Sequence, residues 1–223
     1  MTGRVSEIFD SIQGEGLYFG ERQIFVRLFG CNIRCAYCDT LLESFEDLEP
    51  QQVLARILNY PRGFHRISFT GGEPLMQTEF LKEVFPLVHR QNLQVYLETN
   101  GTLPRALEEV IGLVDVVAMD VKLPSSTGLP GFWDEHKQSL QIAKKKDVFV
   151  KAVVSLGTRE EELVKTIDLI NDSNSSAVLI LQPNNREDDA LLRSKMEYFR
   201  DLCVSYAVPV CIIPQVHKLL GVR

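Results

Sequence analysis

The chain has few cysteines, no excess of positive charge and no long apolar run, and each shortage removes a class of protein. Its 223 residues include five cysteines, an odd number, so a framework of structural disulfides is not expected. Lysine and arginine number 24 against 30 acidic residues, a net charge of −6. A broad phosphate-binding face needs the opposite sign, so neither nucleic acid nor a membrane is expected as a partner. No apolar stretch approaches the roughly 18 residues that span a bilayer. The opening MTGRVSEIFDSIQGEG has no apolar core of signal-peptide length, which places the expected location in the cytoplasm. Low-complexity tracts and internal repeats are also missing. What remains, 45% hydrophobic and 24% charged, is an ordinary globular composition, long enough to bury a core without staples.

Short β-branched runs recur along the chain with helix-like stretches between them. Strands are expected at Ile24–Leu28, Arg66–Thr70, Leu93–Glu98, Val116–Val121, Val148–Val154, Ala177–Leu181 and Val208–Ile213. Most are solidly apolar, as parallel strands covered on both faces should be. Helical stripes fit residues 79–91, with a kink expected at Pro86, and 188–206. The segments 123–131 and 171–176 are short enough to be loops, so residues 1–223 are expected to form a single domain. Seven strands fall short of the eight strands and roughly 250 residues of a full barrel. The expected fold is therefore α/β, an incomplete TIM-type β/α barrel. Its strands end in TGGEP, ETNG, DVK, QPNN and PQVHK, and in such folds the carboxyl ends of the strands form the reactive face.

The cysteines are unevenly placed. GCNIRCAYCDT puts Cys31, Cys35 and Cys38 into eight positions, while Cys203 and Cys211 stand far away. A free cysteine often behaves as a small hydrophobe, which suits Cys203 on a helical stripe and Cys211 within a strand. It does not suit the cluster, which is interleaved with Asn32, Arg34 and Asp39. A zinc knuckle needs four ligands, commonly two pairs; no second pair exists, and His65, His89, His136 and His217 are scattered singly. A C-x-x-C dithiol would use Cys35 and Cys38 and leave Cys31 unexplained. An iron–sulfur cluster uses all three, one thiolate per iron, and leaves one iron open to another molecule.

The C-x₃-C-x₂-C triplet, followed after the next strand by TGGEP, resembles the radical S-adenosylmethionine superfamily. That resemblance implies a 4Fe–4S cluster on Cys31, Cys35 and Cys38, with S-adenosylmethionine chelating the open iron. Gly71 and Gly72 suit a close backbone approach or a positive φ. By resemblance Glu73 accepts from the methionine ammonium, Tyr37 lies against the adenine and Lys122 meets the methionine carboxylate. Cys38, Asp39, Gly72 and Asp120 join the same cofactor-binding set. Gln182 and Asn185 either reach the adenosine or form a turn.

IFDSIQGEG (8–16), FVRLFGC, CDT and the ending IPQVHKLLG resemble the 7-carboxy-7-deazaguanine synthases, in matching order from Ile8 to Gly221. The resemblance implies conversion of 6-carboxy-5,6,7,8-tetrahydropterin into 7-carboxy-7-deazaguanine with loss of ammonia, on the route to queuosine, a modified tRNA base, and other deazapurines. It also implies a homodimer, a Mg²⁺ requirement met partly by Thr40, and an electron-transfer partner such as flavodoxin or ferredoxin. For a pterin with a guanidine-like edge and a carboxylate, Gln13 and the backbone of Ile12 and Gly14 suit the edge. Arg27 suits the carboxylate. Thr70 and His217 are the remaining substrate-binding expectations. A glycyl-radical activating enzyme, acting on a protein, and a zinc-binding module are the alternatives.

Overall fold

The computed structural model describes residues 1–38, 40, 42–173 and 176–222. Nine strands form one sheet: β1 (Gly3–Ile12), β2 (Arg22–Leu28), β3 (Glu46–Leu48), β4 (Arg66–Gly71), β5 (Gln94–Thr99), β6 (Val116–Asp120), β7 (Asp147–Val154), β8 (Val178–Pro183) and β9 (Val210–Ile212). The order is β3-β1-β2-β4-β5-β6-β7-β8-β9. From β2 through β9 every pairing is parallel, whereas β1 is antiparallel to both β2 and β3. The edges β3 and β9 do not pair among the described residues, so the barrel is incomplete, as expected. All seven expected strands are present. The two additions, β1 and β3, extend the sheet by an antiparallel edge.

The helices are α1 (Pro50–Leu58), α2 (Thr78–His89), α3 (Pro104–Val110), α4 (Pro124–Thr127), α5 (Trp133–Ala143), α6 (Glu160–Asp172), α7 (Asp189–Ser205) and α8 (Val216–Leu219). Helix α2 continues through Pro86 and buries Phe80, Leu81, Val84, Phe85 and Val88. Cys203 on α7 is fully buried, as its stripe predicts. Cys211 is not a core residue: it is exposed. Among the described residues its strand β9 pairs only with β8, and an edge strand covers its residues incompletely.

Strand periodicity divides the sheet chemically, because alternate side chains face opposite sides. Ile67, Phe69, Val95, Leu97, Val117, Met119, Val150, Ala152, Leu179 and Leu181 join the helices in the main core. Their neighbours face the concave side, where Tyr96, Val116, Ala118, Phe149 and Ile180 form a second, smaller apolar cluster. One step further toward the carboxyl ends, the same parity presents Arg27, Thr70, Glu98, Asp120, Lys151 and Gln182. Register places Arg27 opposite Thr70 and Asp120 opposite Lys151. The concave face is thus apolar below and charged above.

Candidate active site

A cleft of about 1090 Å³ opens over this charged row, lined by all three clustered cysteines. None of the three is in a disulfide. Their loop is held from three sides. Gly72 N–H donates to the Leu28 carbonyl at 3.0 Å and Glu73 N–H to the Gly30 carbonyl at 2.8 Å. Ala36 N–H donates to the Thr127 carbonyl of α4 at 2.8 Å. Arg186, which sequence reading missed, donates to the carbonyls of Ala36 (3.0 Å) and Cys38 (2.6 Å). The paired glycines have a local cause. A Cβ on Gly71 (φ +135°) would lie 2.1 Å from the Leu28 carbonyl oxygen, and one on Gly72 would lie 1.9 Å from that of Gly30. The backbone that approaches them is the protein's own cysteine loop.

Glu73 lies beneath the cleft, fully buried. Its carboxylate accepts from Leu75 N–H (3.1 Å), the Thr99 hydroxyl (2.9 Å) and Asn100 N–H (2.7 Å). Burial pushes its pKa up to about 7 against the pull of those donors. Lys122 Nζ binds Asp120 at 2.8 Å and reaches the Tyr37 hydroxyl at 3.4 Å. Burial acts to lower the Lys122 pKa, but Asp120 outweighs it and holds the ammonium well above its usual range. Burial raises the Tyr37 phenol to about 12.

Two residues not singled out from sequence extend this pair into a ladder. Lys151 stands between Asp120, at 3.3 Å, and Glu15, to which it donates directly. Desolvation would raise both carboxyls, yet the neighbouring lysines dominate and hold Glu15 and Asp120 below their ordinary values. Gln215 donates to Glu15 at 2.5 Å and Gln182 at 3.5 Å, drawing the last strands into the same network. Gln182 Oε1 is buried with no partner among the described residues. Asn185 lies in a turn and donates to Gln215. Of the expected cofactor residues, Asp39 falls outside the described residues.

At the other end of the row, Arg27 donates from Nε to Glu7 at 2.7 Å and from Nη1 to the Thr40 hydroxyl at 3.4 Å. Glu98, also unforeseen, accepts from Gln13 (2.9 Å), Ser68 (3.2 Å) and Thr70 (2.8 Å). Gln13 lines the cleft but is 2% exposed; its amide oxygen accepts from Glu15 N–H at 3.0 Å. Both ends of the Gln13 amide are therefore engaged inside the protein. Ile12 and Gly14 also line the cleft. The Gly14 carbonyl accepts from Val216 N–H at 2.8 Å, and a Cβ at Gly14 would meet His217 Nδ1 at 2.0 Å. The chain after β9 thus docks on the QGEG loop and brings His217 to the cleft.

Among the described residues no three His, Cys, Asp or Glu side chains converge as ligands of one metal ion. A cubane cluster asks for less convergence, since each thiolate binds a different iron. Three free cysteines on a clamped loop at the cleft fit that group. The buried, unpaired Gln182 Oε1 fits a cofactor that brings N–H donors.

Residues 26–170 match the model of the radical SAM superfamily. The 7-carboxy-7-deazaguanine synthase of Geobacter sulfurreducens is 36% identical, over 97% of this chain and 96% of its own length. That of Archaeoglobus fulgidus is 34% identical over the whole of both chains. The crystal structure of QueE from Escherichia coli superposes with a TM-score of 0.68 at 22% identity, covering 97% of this chain and 95% of that one, and shares the fold. With the cysteine loop, the glycine pair and the charged row all in place at the strand ends, the chain belongs to the 7-carboxy-7-deazaguanine synthase family of radical S-adenosylmethionine enzymes.

Proposed function

We propose that this protein converts 6-carboxy-5,6,7,8-tetrahydropterin into 7-carboxy-7-deazaguanine with loss of ammonia. The observation behind this reading is the row at the strand ends: an arginine at one position, a hydrogen-bonded carboxylate two strands away, and the cysteine loop beside them. Arg27 would grip the substrate carboxylate. Glu98, fixed by three donors, would accept from the pterin's guanidine-like edge, so Gln13 acts by holding Glu98 and not by reading the edge itself. Thr70 and the backbone of Ile12 and Gly14 complete the wall, and His217 closes it.

Cys31, Cys35 and Cys38 would hold the 4Fe–4S cluster, which with S-adenosylmethionine supplies hydrogen-atom abstraction when bound. Lys122 would meet the methionine carboxylate, Tyr37 the adenine, and Gln182 the adenosine through its unpaired oxygen. Glu73 and Gly72 set the floor beneath the methionine ammonium, and Asp120 orients Lys122. Thr40 offers Mg²⁺ one hydroxyl; substrate and water would supply the rest of the shell, as is common for this ion. A single domain, a cytoplasmic homodimer and reduction by a flavodoxin or ferredoxin complete the reading, and a pathway role as a tRNA-modification precursor follows from the product. The glycyl-radical activator is not favoured, since the synthases match nearly end to end.

The test is anaerobic incubation with the carboxypterin, S-adenosylmethionine and dithionite, followed by mass detection of the deazaguanine. Cofactor cleavage without deazaguanine would reject the substrate and leave the superfamily chemistry standing.

A further inference from the structure

Asn100, just past the end of β5, is 6% exposed and tightly held. Its Oδ1 accepts from the Thr102 backbone N–H at 3.0 Å and from the Thr102 hydroxyl at 2.6 Å. A backbone N–H only donates, so it decides the amide's orientation: oxygen toward Thr102, nitrogen away. Nδ2 is thereby turned to Asn32 Oδ1 at 2.9 Å and to Cys31 Sγ at 3.9 Å. Asn32 closes the ring by donating from Nδ2 to Thr102 Oγ1 at 2.8 Å. Each donor in this ring of three side chains has one consistent acceptor assignment.

The backbone of Asn100 is anchored as firmly. Its N–H donates to Glu73 at 2.7 Å, and its carbonyl lies 3.1 Å from Nε2 of the buried His136. Among the described residues, Cys31 alone of the three clustered cysteines has a side-chain N–H directed at its sulfur. Asn32, Asn100 and Thr102 are not among the side chains assigned above to the pterin or to the cofactor's adenosine.

We propose that Asn100 is a positioning residue for the cluster, donating its amide N–H to the Cys31 sulfur and so raising the cluster's reduction potential. This rests on the reading that Cys31, Cys35 and Cys38 hold a 4Fe–4S cluster. The step affected is addition of one electron from an external one-electron reductant, with no covalent bond made or broken. Negative charge on the cluster and its thiolates grows in that step, so an N–H···S bond stabilises the reduced form more than the oxidised. Because Asn32 and Thr102 hold the amide beforehand, little side-chain freedom is lost in keeping the bond.

The protein is reconstituted anaerobically with iron and sulfide, and its midpoint potential is read by a mediated dithionite titration followed by electron paramagnetic resonance. Wild-type protein that takes up no cluster overturns the underlying reading. Asn100→Leu keeps a similar shape and loses the donor. Its reduced-to-oxidised ratio at a fixed potential should fall roughly tenfold, about 59 mV for a one-electron couple. Thr102→Val leaves Asn100 in place but removes a hydroxyl that orients it, and should shift the potential the same way by less. Ser139→Ala removes a 2.8 Å bond to the nearby Gly101 carbonyl with no path to sulfur, and should retain the wild-type potential. If Asn100→Leu does not load, Thr102→Val decides. A loaded Asn100→Leu, or in its absence Thr102→Val, titrating as wild type overturns the proposal and leaves the cluster reading intact.

Discussion

Arg27 and Glu7 stand directly opposite one another across the antiparallel β1–β2 pair, and Arg27 Nε donates to Glu7 Oε1 at 2.7 Å. The contact occupies one edge of the guanidinium and fixes its plane. A substrate carboxylate at the other edge would gain charge-assisted bonds worth about 1.5–3 kcal/mol. Arg27→Ala should therefore weaken carboxypterin binding roughly 10- to 150-fold. Arg27→Lys keeps the charge without the planar fork and should fall between the two. S-adenosylmethionine affinity and iron content should survive both changes, because the cysteine loop is clamped by other residues. Titration of pterin and cofactor against the three proteins checks this; a tight-binding Arg27→Ala would make the arginine structural.

Lys151 is the only cation bonded to Glu15 among the described residues, whereas Asp120 keeps Lys122 as well. Lys151→Met removes one partner of a buried pair, a change that costs about 3–5 kcal/mol when the remaining charge has no other counter-ion. The Gln182 and Gln215 amides soften the loss, so the expectation is about 3 kcal/mol at pH 7. Adding Glu15→Gln to the same chain should recover part of it. Urea unfolding of the single and double variants measures both, and equal stability of Lys151→Met and wild type would remove the ladder from the stability argument.

Why the sequence revealed β4 to β8 and concealed β1 follows from how strands are covered. Parallel strands with helices on one side and a filled concave face on the other are apolar nearly throughout, and runs such as RISFT and VVAMD announce them. Strand β1 reads GRVSEIFDSI, with buried Val5 and Phe9 separated by partly exposed Ser6, Glu7 and Ile8 and a register shift between Val5 and Glu7. An antiparallel strand with one wet face alternates, and a search for solid apolar runs passes over it. The site divides in the same way. Cys31, Cys35, Cys38 and the glycine pair are legible because their spacing is itself the chemistry. Glu15, Glu98, Lys151 and Arg186 are single charges in otherwise ordinary segments, and only the register across neighbouring strands brings them together. Asn100 sat in plain view in ETNG, but its direction depends on Thr102 and Asn32, the latter 68 residues earlier in the chain.

The proposed magnesium role of Thr40 can be tested apart from the cluster. Thr40→Val removes the hydroxyl and retains the branched shape, so iron content should be unchanged. The Mg²⁺ dependence of turnover should weaken, with a higher metal concentration needed for half-maximal rate. A wild-type magnesium response would take Thr40 out of the metal site.

The five cysteines should sort into two groups by iron content after anaerobic reconstitution. Cys31→Ala, Cys35→Ala and Cys38→Ala should each lose the cluster, because a cubane bound by three thiolates has no spare ligand. Cys203→Ala should keep it. The Cys203 thiol is fully buried on α7, and burial raises its pKa to about 11, which leaves it unreactive. Cys211→Ala should also keep it, since β9 lies at the sheet edge. Iron retained in Cys31→Ala and lost from either distant variant would reverse the assignment.

His136 and Glu73 bracket Asn100 and should impose opposite pH slopes on stability. Burial lowers His136 to about 4 from an ordinary 6.5, so the unfolded chain binds its proton more readily. That contribution is fully present above pH 6.5 and is lost as pH falls toward 4. Burial raises Glu73 to about 7 from 4.5, so the folded chain holds its proton more readily. That contribution is fully present below pH 4.5 and is lost as pH rises through 7. Between pH 4.5 and 6.5 both operate, each at up to about 1.4 kcal/mol per pH unit, and they oppose one another. Glu15 and Asp120, whose pKa values are lowered from 4.5 and 3.8, act below this window. Metal-free wild type should therefore show a nearly flat contribution from this pair. His136→Gln should lose stability with rising pH relative to wild type, and Glu73→Gln should gain it. Urea midpoints at pH 4.5, 5.5 and 6.5 for the three proteins give the comparison. Absolute stabilities will differ because both substitutions disturb a buried network, so the slopes are what count; three parallel profiles would mean that neither group titrates as its burial requires.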